Sequence, residues 1–184
     1  MKPADIEKFG NIATELANGE IVIIRPLQKT DGNALASFYA SVPREDFRFY
    51  CPHPLDDKHA AENTSKAESP CEIVLIAENA QKEIAGYAWL RWQNENSDCS
   101  TFGICIRRTY QGRGLGQSLM SELFKIGKKI APPVVHLTVQ KANAKGFNLY
   151  SKMGFKIIKE QIRPANFQPG LQAEPEYMME LRLR

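Results

Sequence analysis

Short apolar runs alternate with stretches of helical character along this chain, and their order predicts its architecture. Seven runs bounded by polar, glycine or proline residues indicate strands, at 21–24, 71–77, 84–92, 100–106, 134–139, 155–162 and 177–183. Helical spacing, capping residues and terminating glycine or proline indicate helices at about 3–17, after Thr30, at 114–130, and from Asn143 to before Gly154. A polar, alanine-containing run at 56–69 indicates one more, exposed helix.

This order is a run of strands followed by helix, strand, helix, strand, strand. It predicts an α/β (α+β) fold with a single mixed, mostly antiparallel central sheet of about seven strands flanked by helices. The 184 residues suit one domain, 1–184, with a full hydrophobic core.

A glycine-rich turn at 111–116, Gln-Gly-Arg-Gly-Leu-Gly, lies between the strand predicted at 100–106 and the helix predicted at 114–130. Glycines let the backbone approach an anion, and the unpaired N–H groups and dipole of a helix start favour negative charge there. The turn therefore predicts a phosphate cradle. A dinucleotide-binding fingerprint fails because position 117 is Gln117, and the Gly-Lys-Ser/Thr end of a Walker A loop is absent. A turn that binds no ligand is the remaining alternative.

A second motif lies downstream, after the apolar run at 137–139. It consists of an Asn at a helix start, a small residue three positions later, then Leu-Tyr and Gly-Phe, here Asn143, Gly146, Leu149-Tyr150 and Gly154-Phe155. Together with Gln111, Gly114 and Gly116 of the turn, which match Gln/Arg-x-x-Gly-x-Gly/Ala, this stretch resembles the GNAT superfamily of acyl-CoA-dependent N-acetyltransferases. The resemblance is strong over about residues 101–156 and weaker outside.

The resemblance implies an acyl-CoA N-acyltransferase fold and an N-acetyltransferase that moves an acetyl group from acetyl-CoA, its cosubstrate, to a primary amine by direct transfer in a ternary complex. It implies that the CoA pyrophosphate binds the turn and the first helical residues, which are Gln111, Gly112, Arg113, Gly114, Leu115, Gly116 and Gln117. Arg107, Arg108 and Arg113 could add charge, or could lie on a solvated surface. In this family the strand before the turn splays from its neighbour and pairs with the pantetheine arm, here at Ile104, Cys105 and Ile106.

Tyr150 is the candidate general acid, because a phenol with a pKa near 10 is protonated at neutral pH and can donate to a departing thiolate. A Leu-Tyr pair on a helix can equally belong to the core. Asn143 could contact the cofactor's amides or only cap its helix. The general base has no assigned residue: many relatives place Glu near position 100, where this chain has Ser100. Asp98 fits a turn equally well, and a water chain or a carboxylate from another segment could serve.

The acceptor pocket in this family is formed by the regions that correspond here to 47–54 and 163–175. Trp89 and Trp92 lie on opposite faces of their strand, so that at most one faces the acceptor. The acceptor amine could belong to a small metabolite, an antibiotic, a peptide or a protein. The leading helix at about 3–17 is extra to the family's core, and could cover a sheet edge or serve a subunit contact in a homodimer.

Composition excludes several other classes. The net charge is only +3 and no Lys/Arg block stands out, so a nucleic-acid partner is not expected. No apolar run approaches the roughly 20 residues that span a bilayer, and the start leads into no apolar signal core, so a cytoplasmic protein without membrane association is expected. Four cysteines without a Cys-x-x-Cys pair and three scattered histidines predict reduced thiols and no metal. The rival to an enzyme is a non-catalytic acyl-CoA-binding or sensing module on the same fold.

Overall fold

The computed structural model describes residues 10–50, 52–165 and 170–184, which contain an eight-stranded sheet flanked by four helices. The strands are β1 Ile12–Glu15, β2 Ile21–Pro26, β3 Glu72–Glu78, β4 Ile84–Arg91, β5 Cys99–Ile106, β6 Val134–Gln140, β7 Lys156–Arg163 and β8 Glu174–Arg182. The helices are α1 Gly32–Ala40, α2 Asp57–Ser65, α3 Leu115–Ile130 and α4 Ala144–Lys152. The predicted mixed, mostly antiparallel sheet flanked by helices is confirmed, with eight strands in the order β1-β2-β3-β4-β5-β6-β8-β7 instead of seven.

The additional strand corrects part of the predicted leading helix. Residues Ile12–Glu15 form β1, which pairs antiparallel with β2 from Ile12 opposite Ile24 to Glu15 opposite Ile21. Gly19, with φ of 81°, closes the hairpin, and the Leu16 N–H donates to the Glu20 carbonyl at 2.8 Å. The four-residue spacing of Ile12 and Leu16 fits both the helical period of 3.6 and the strand period of two. Pairing with β2 satisfies backbone groups that a helix end would leave open. The rest of the predicted helix, residues 3–9, lies outside the described residues.

Two apolar clusters cover the two faces of the sheet. One packs against α3 and α4 and includes Leu90, Phe102, Leu119 and Phe155. The other packs beneath α1 and α2 and includes Phe38, Tyr87, Trp89 and Cys105. Alternate residues of β4 and β5 therefore face opposite layers, as expected for strands buried on both sides.

No helix within the described ranges is long and apolar enough to cross a membrane. Cys71, Cys99 and Cys105 are free thiols.

Candidate active site

The strands β5 and β6 separate in the middle of the sheet. They run parallel and pair over three residues, Cys99–Thr101 with Val134–His136. Beyond that point β5 continues to pair with β4 as far as Ile106, while β6 continues to pair with β8 as far as Gln140. The side of β5 that faces β6 from Phe102 to Ile106 therefore has no strand partner among the described residues. This opening, which we call the splay, contains the three predicted positions Ile104, Cys105 and Ile106.

The glycine-rich turn places the start of α3 beside the splay. Gly112 and Gly114 have φ of 75° and 89°, in the left-handed region, and a Cβ at either would meet nothing within 4 Å. Conformation, and not crowding by neighbours, therefore requires glycine at both positions. The first N–H groups of α3, from Leu115 to Gln117, have no acceptor within the helix, and its first turn carries no acidic residue. These features are the ones that the predicted phosphate cradle requires, and anion binding at this turn stays a prediction.

Gly116 joins the cradle to the splay. A Cβ on Gly116 would lie 3.0 Å from Leu149 Cδ2 and 3.9 Å from both Ile104 Cδ1 and Ile106 Cγ1. The start of α3 is therefore packed against both α4 and the open strand. An anion on the cradle and an extended chain along β5 would consequently be neighbours.

The hairpin of β1 and β2 braces the cradle from outside. The Ala17 N–H donates to the Arg113 carbonyl at 3.1 Å, and the Glu20 carboxylate accepts hydrogen bonds from the Tyr110 hydroxyl at 2.7 Å and from Arg113 Nη1 at 3.1 Å. Asn79 Nδ2 donates to the same Tyr110 hydroxyl at 3.1 Å. Sequence reasoning missed this brace because Glu20 lies about 90 residues before its partners and follows a segment predicted as helix.

The three arginines around the turn each have an acidic partner. Arg107 faces Glu83 at 3.4 Å, Arg113 binds Glu20, and Arg108 binds Glu45 at 3.0 Å and Asp46 at 2.8 Å. A pyrophosphate would have to compete with these carboxylates for the guanidinium groups. For the predicted cradle we therefore expect the backbone N–H groups to be the primary donors. Arg108 also ties the turn to the 44–46 segment on the opposite face. Gln111 turns its amide back to the Ile106 carbonyl at 3.1 Å, at the end of β5.

Asn143 caps α4. Its Oδ1 accepts the Gly146 N–H at 2.9 Å, and a Cβ at Gly146 would lie only 2.7 Å from Asn143 Nδ2. The cap therefore explains why the motif has a small residue three positions after the Asn. A contact of Asn143 with the cofactor stays a prediction.

Tyr150 packs its ring into the core at the edge of the splay. The ring packs edge-on against Phe102, with centroids 6.0 Å apart, and against Phe155 at 6.1 Å. Burial, with a smaller contribution from the Cys105 thiol, raises the pKa of Tyr150 above its ordinary value. The ring contact with Phe102, the first residue of β5 without a β6 partner, places Tyr150 at the edge of the splay. Within the described part of the chain the hydroxyl has no hydrogen-bond partner. Tyr150 is thus a protonated phenol with an unused donor.

The face of β5 opposite α3 is covered by an aromatic pair. The Trp89 indole lies against Gly103, where a Cβ would approach Trp89 Cζ2 to 2.3 Å, and its Nε1 donates to the Tyr50 hydroxyl at 3.1 Å. Trp92 packs against the cluster on the α3 side, so the two tryptophans lie on opposite faces as predicted. Trp89 is on the face that α1 and α2 cover, where the acceptor pocket is predicted, and we call this face the acceptor side.

The two segments predicted to form the acceptor pocket meet on this same face. Arg163 Nη1 donates to the Arg48 carbonyl at 2.6 Å and Arg163 Nη2 pairs with Glu174 at 2.8 Å, while Arg48 also pairs with Glu174. Cys51 and residues 166–169, which belong to these segments, lie outside the described residues.

The candidate carboxylate positions near 100 do not face the splay. Asp98 is exposed and follows the turn at 94–97, and Ser100 Oγ donates to the Val134 carbonyl at 3.4 Å in the closed part of the β5–β6 pair. The structure instead reveals a buried carboxylate that sequence reasoning missed. Glu176 on β8 is only 4% exposed and accepts hydrogen bonds from Gln161 Nε2 at 2.7 Å and Gln140 Nε2 at 3.4 Å. Polar and apolar residues alternate along β8, and this pattern alone does not distinguish the buried Glu176 from a Glu that faces solvent.

A separate polar network lies beneath α1 and α2. Arg91 donates to Glu72 and Asn63 at 2.8 Å each and to the Tyr87 hydroxyl at 3.0 Å, and Asn63 continues to His53 at 3.0 Å. Burial lowers the pKa of His53 and raises that of Glu72. The network holds the two helices on the sheet. No group of three His, Cys, Asp or Glu side chains among the residues described is arranged to hold a metal ion.

Solved structures share this architecture. A GNAT-family acetyltransferase from Streptococcus pneumoniae superposes with a TM-score of 0.74 at 26% identity, over 88% of this chain and 99% of that one. Spermidine N-acetyltransferase from Vibrio cholerae, solved with CoA and spermine, gives a TM-score of 0.70 at 20% identity, over 88% and 95%. The yncA protein of Salmonella typhimurium, solved with acetyl-CoA, gives 0.71 at 19% identity, over 89% and 94%.

A comparison with curated protein sequences gave no match. The model of the acetyltransferase (GNAT) family matches residues 36–155, which include the glycine-rich turn, the splay and the Asn143 to Phe155 motif. This match, together with the shared architecture, confirms the resemblance seen in the sequence: the chain belongs to the acetyltransferase (GNAT) family.

Proposed function

We propose that this protein is an N-acetyltransferase that moves an acetyl group from acetyl-CoA to a primary amine by direct transfer in a ternary complex. The observation that carries the proposal is the junction at Gly116, where an anion-binding helix start adjoins an unpaired strand edge beside the Tyr150 hydroxyl. Structural neighbours solved with CoA or acetyl-CoA support a cosubstrate of this type.

The chain offers groups for each end of the cosubstrate. Backbone N–H groups of the cradle, from Gln111 and Gly112 to Gln117, suit the pyrophosphate. The unpaired edge at Ile104, Cys105 and Ile106 suits the amide-containing pantetheine arm, which would pair with it as another strand does. Asn143 Nδ2 suits an amide carbonyl of the same arm. The thioester would then lie in the splay, within reach of Tyr150.

Tyr150 supplies the proton for the departing thiolate. Its raised pKa keeps the phenol protonated across the neutral range, and its hydroxyl has no competing partner among the described residues. A thiol with a pKa near 8.5 is formed when the phenol donates to the thiolate as the C–S bond breaks.

Direct transfer is favoured over an acyl-cysteine intermediate. Cys105 is the cysteine at the splay, and burial, with a smaller contribution from Asp46, raises the pKa of its thiol to about 12. The thiolate is the nucleophilic form, so Cys105 stays an unreactive thiol at neutral pH. The amine must therefore attack the thioester itself.

The test is a broad acceptor screen that reads the release of free thiol from acetyl-CoA. It should include polyamines, since one structural neighbour is a spermidine N-acetyltransferase, and small-molecule and peptide amines. Thiol release that depends on an added amine supports the proposal. Acetyl-CoA binding without transfer to any amine would favour the sensing module instead.

A further inference from the structure

We propose that Glu176 is the carboxylate that binds the acceptor's ammonium group next to the splay and takes its proton. The inference rests on the proposed function and fills the role of general base, which neither Asp98 nor Ser100 is placed to fill.

Strand register places Glu176 one strand beyond the splay, behind the open edge of β6. Thr101 and His136 are the last paired residues of β5 and β6, so in two parallel strands Cys105 and Gln140 lie equally far beyond them, four residues on. An even separation also keeps them on the face of Thr101 and His136. Glu176 lies directly opposite Gln140 on β8. Glu176 is thus on the same face of the sheet as Cys105, with Gln140 of β6 between them.

Tyr150 approaches the same opening from the other face of the sheet. Its ring packs against Phe102, which is the first residue of β5 without a β6 partner and faces α3. The phenol and the buried carboxylate therefore lie on opposite faces of the sheet, one at the splay and one a strand beyond it. This is the arrangement that amine transfer needs, with a proton acceptor at the nitrogen and a proton donor at the sulfur.

Glu176 is buried, yet its partners are neutral. Gln140 and Gln161 donate to it, and no Lys or Arg of the described residues lies within ion-pair distance of it. The neighbouring arginines, Arg48 and Arg163, are both paired with Glu174. Buried carboxylates normally require a cation, because amide donors compensate the lost hydration only in part. An ammonium group from the acceptor would supply the missing positive charge.

The proton balance of the step is complete. The ammonium group gives one proton to Glu176 and becomes the neutral amine, whose lone pair forms the C–N bond at the thioester carbonyl. The nitrogen gives its second proton to solvent as the C–S bond breaks. The sulfur takes one proton from Tyr150, which is reprotonated from solvent, and Glu176 gives its proton to solvent. One proton is released to solvent for each acetyl group transferred, and Glu176 and Tyr150 return to their starting states.

The kinetic test compares three variants with any acceptor found in the thiol-release screen. Glu176→Gln keeps the shape of the side chain and should lower kcat roughly 10²-fold, a typical size for a general base, while acetyl-CoA affinity is retained. Glu176→Asp keeps the carboxylate and should restore part of that loss. The control, Glu180→Gln, lies on the same face of β8 but opposite His136 in the closed part of the sheet, and should leave kcat unchanged. Unchanged kcat in Glu176→Gln, or equal losses in the Gln and Asp variants, would overturn the proposal.

A binding test decides the matter even if the screen yields no acceptor. Butylammonium is titrated by calorimetry into the CoA-saturated wild-type protein and into Glu176→Gln. Binding that is lost in Glu176→Gln but kept in Glu180→Gln supports the cation site, and a failed screen then counts against the proposed enzyme alone. Equal binding to all three proteins, or binding to none, overturns the role of Glu176.

Discussion

Tyr150 shows how one residue can satisfy two interpretations at once. Its ring packs with Phe102 and Phe155 as a core residue would, while its hydroxyl has no hydrogen-bond partner among the described residues and stays available as a donor. The motif predicted the position of the residue. The sequence could not predict the packing of the ring at the edge of the splay, because that depends on contacts of α4 with β5 and with Phe155, which precedes β7.

Replacing Tyr150 with Phe separates these two roles. The ring contacts survive, so folding and acetyl-CoA affinity should be kept, but the lost donor should lower kcat roughly 10²-fold, or about 2.7 kcal/mol of transition-state stabilisation. Steady-state and single-turnover kinetics should be compared, so that chemistry and not product release is measured. Tyr177→Phe, which removes one hydroxyl from a neighbouring aromatic side chain, serves as the control. If single-turnover rates of Tyr150→Phe equal those of the wild type, Tyr150 is only a packing residue.

Elements with local signals were predicted well. The glycine-rich turn and α3 follow from a strand, a left-handed turn and a helical period that are all encoded within about 30 residues. The splay at Ile104, Cys105 and Ile106 was implied by the family resemblance and not by these local signals. The strand of the N-terminal hairpin was mispredicted as helix, because the spacing of Ile12 and Leu16 fits both a helix and a strand. Pairing with β2, which decides for the strand, is a contact between elements that local spacing does not show. Glu176 was missed for the same physical reason: its burial depends on Gln140 and Gln161, which belong to other strands.

A charge introduced into the cradle tests the role of this turn. Gly114→Asp places a carboxylate where the pyrophosphate would lie, and the open space around Gly114 allows the side chain to fit. We expect acetyl-CoA binding to be lost, as measured by calorimetry. Gly10→Asp is a matched control, because Gly10 also has a left-handed φ, of 64°, and no neighbour within 4 Å among the described residues. A folded Gly114→Asp protein that binds acetyl-CoA as well as the control does would show that the cradle lies elsewhere.

At the scale of the whole molecule, a buried ion-pair cluster joins the sheet to α1. Arg25 on β2 binds both carboxylate oxygens of Asp31, at 2.8 Å each, and Glu78 on β3 at 2.6 Å. Burial opposes ionisation of both acids, but hydrogen bonds outweigh it: from Arg25 and the Gln28 N–H to Asp31, and from Lys82 and Arg25 to Glu78. Both pKa values are therefore lowered.

Acid should weaken this cluster. The folded-state pKa values of Asp31 and Glu78 lie below their ordinary values of 3.8 and 4.5. The contribution of the two ionised carboxylates to the free energy of unfolding is therefore complete above about pH 4.5, and it is lost as pH falls through the folded-state values. Asp31→Asn should cost roughly 1.5–3 kcal/mol at pH 7, the range for hydrogen bonds to charged groups, and the difference from wild type should shrink below pH 4. Denaturant unfolding across this range measures it, with the exposed Glu95→Gln as control. A difference that does not change with pH would contradict the assignment.

The last prediction concerns the response of the whole fold to its cosubstrate. A ligand that binds only the native state stabilises it by mass action, by about 2.7 kcal/mol at a concentration one hundred times Kd. For a chain of this length each kcal/mol raises Tm by about 2–4 °C, so acetyl-CoA should raise Tm by about 5–10 °C at that ratio, and further at higher concentration. Pantetheine has no pyrophosphate, and so should give a much smaller shift at equal concentration. Equal shifts with the two compounds would place the binding energy in the splay and not in the cradle. No shift at millimolar acetyl-CoA would contradict the cosubstrate itself, because the first N–H groups of α3 and the open edge of β5 would then lack the ligand that their geometry fits.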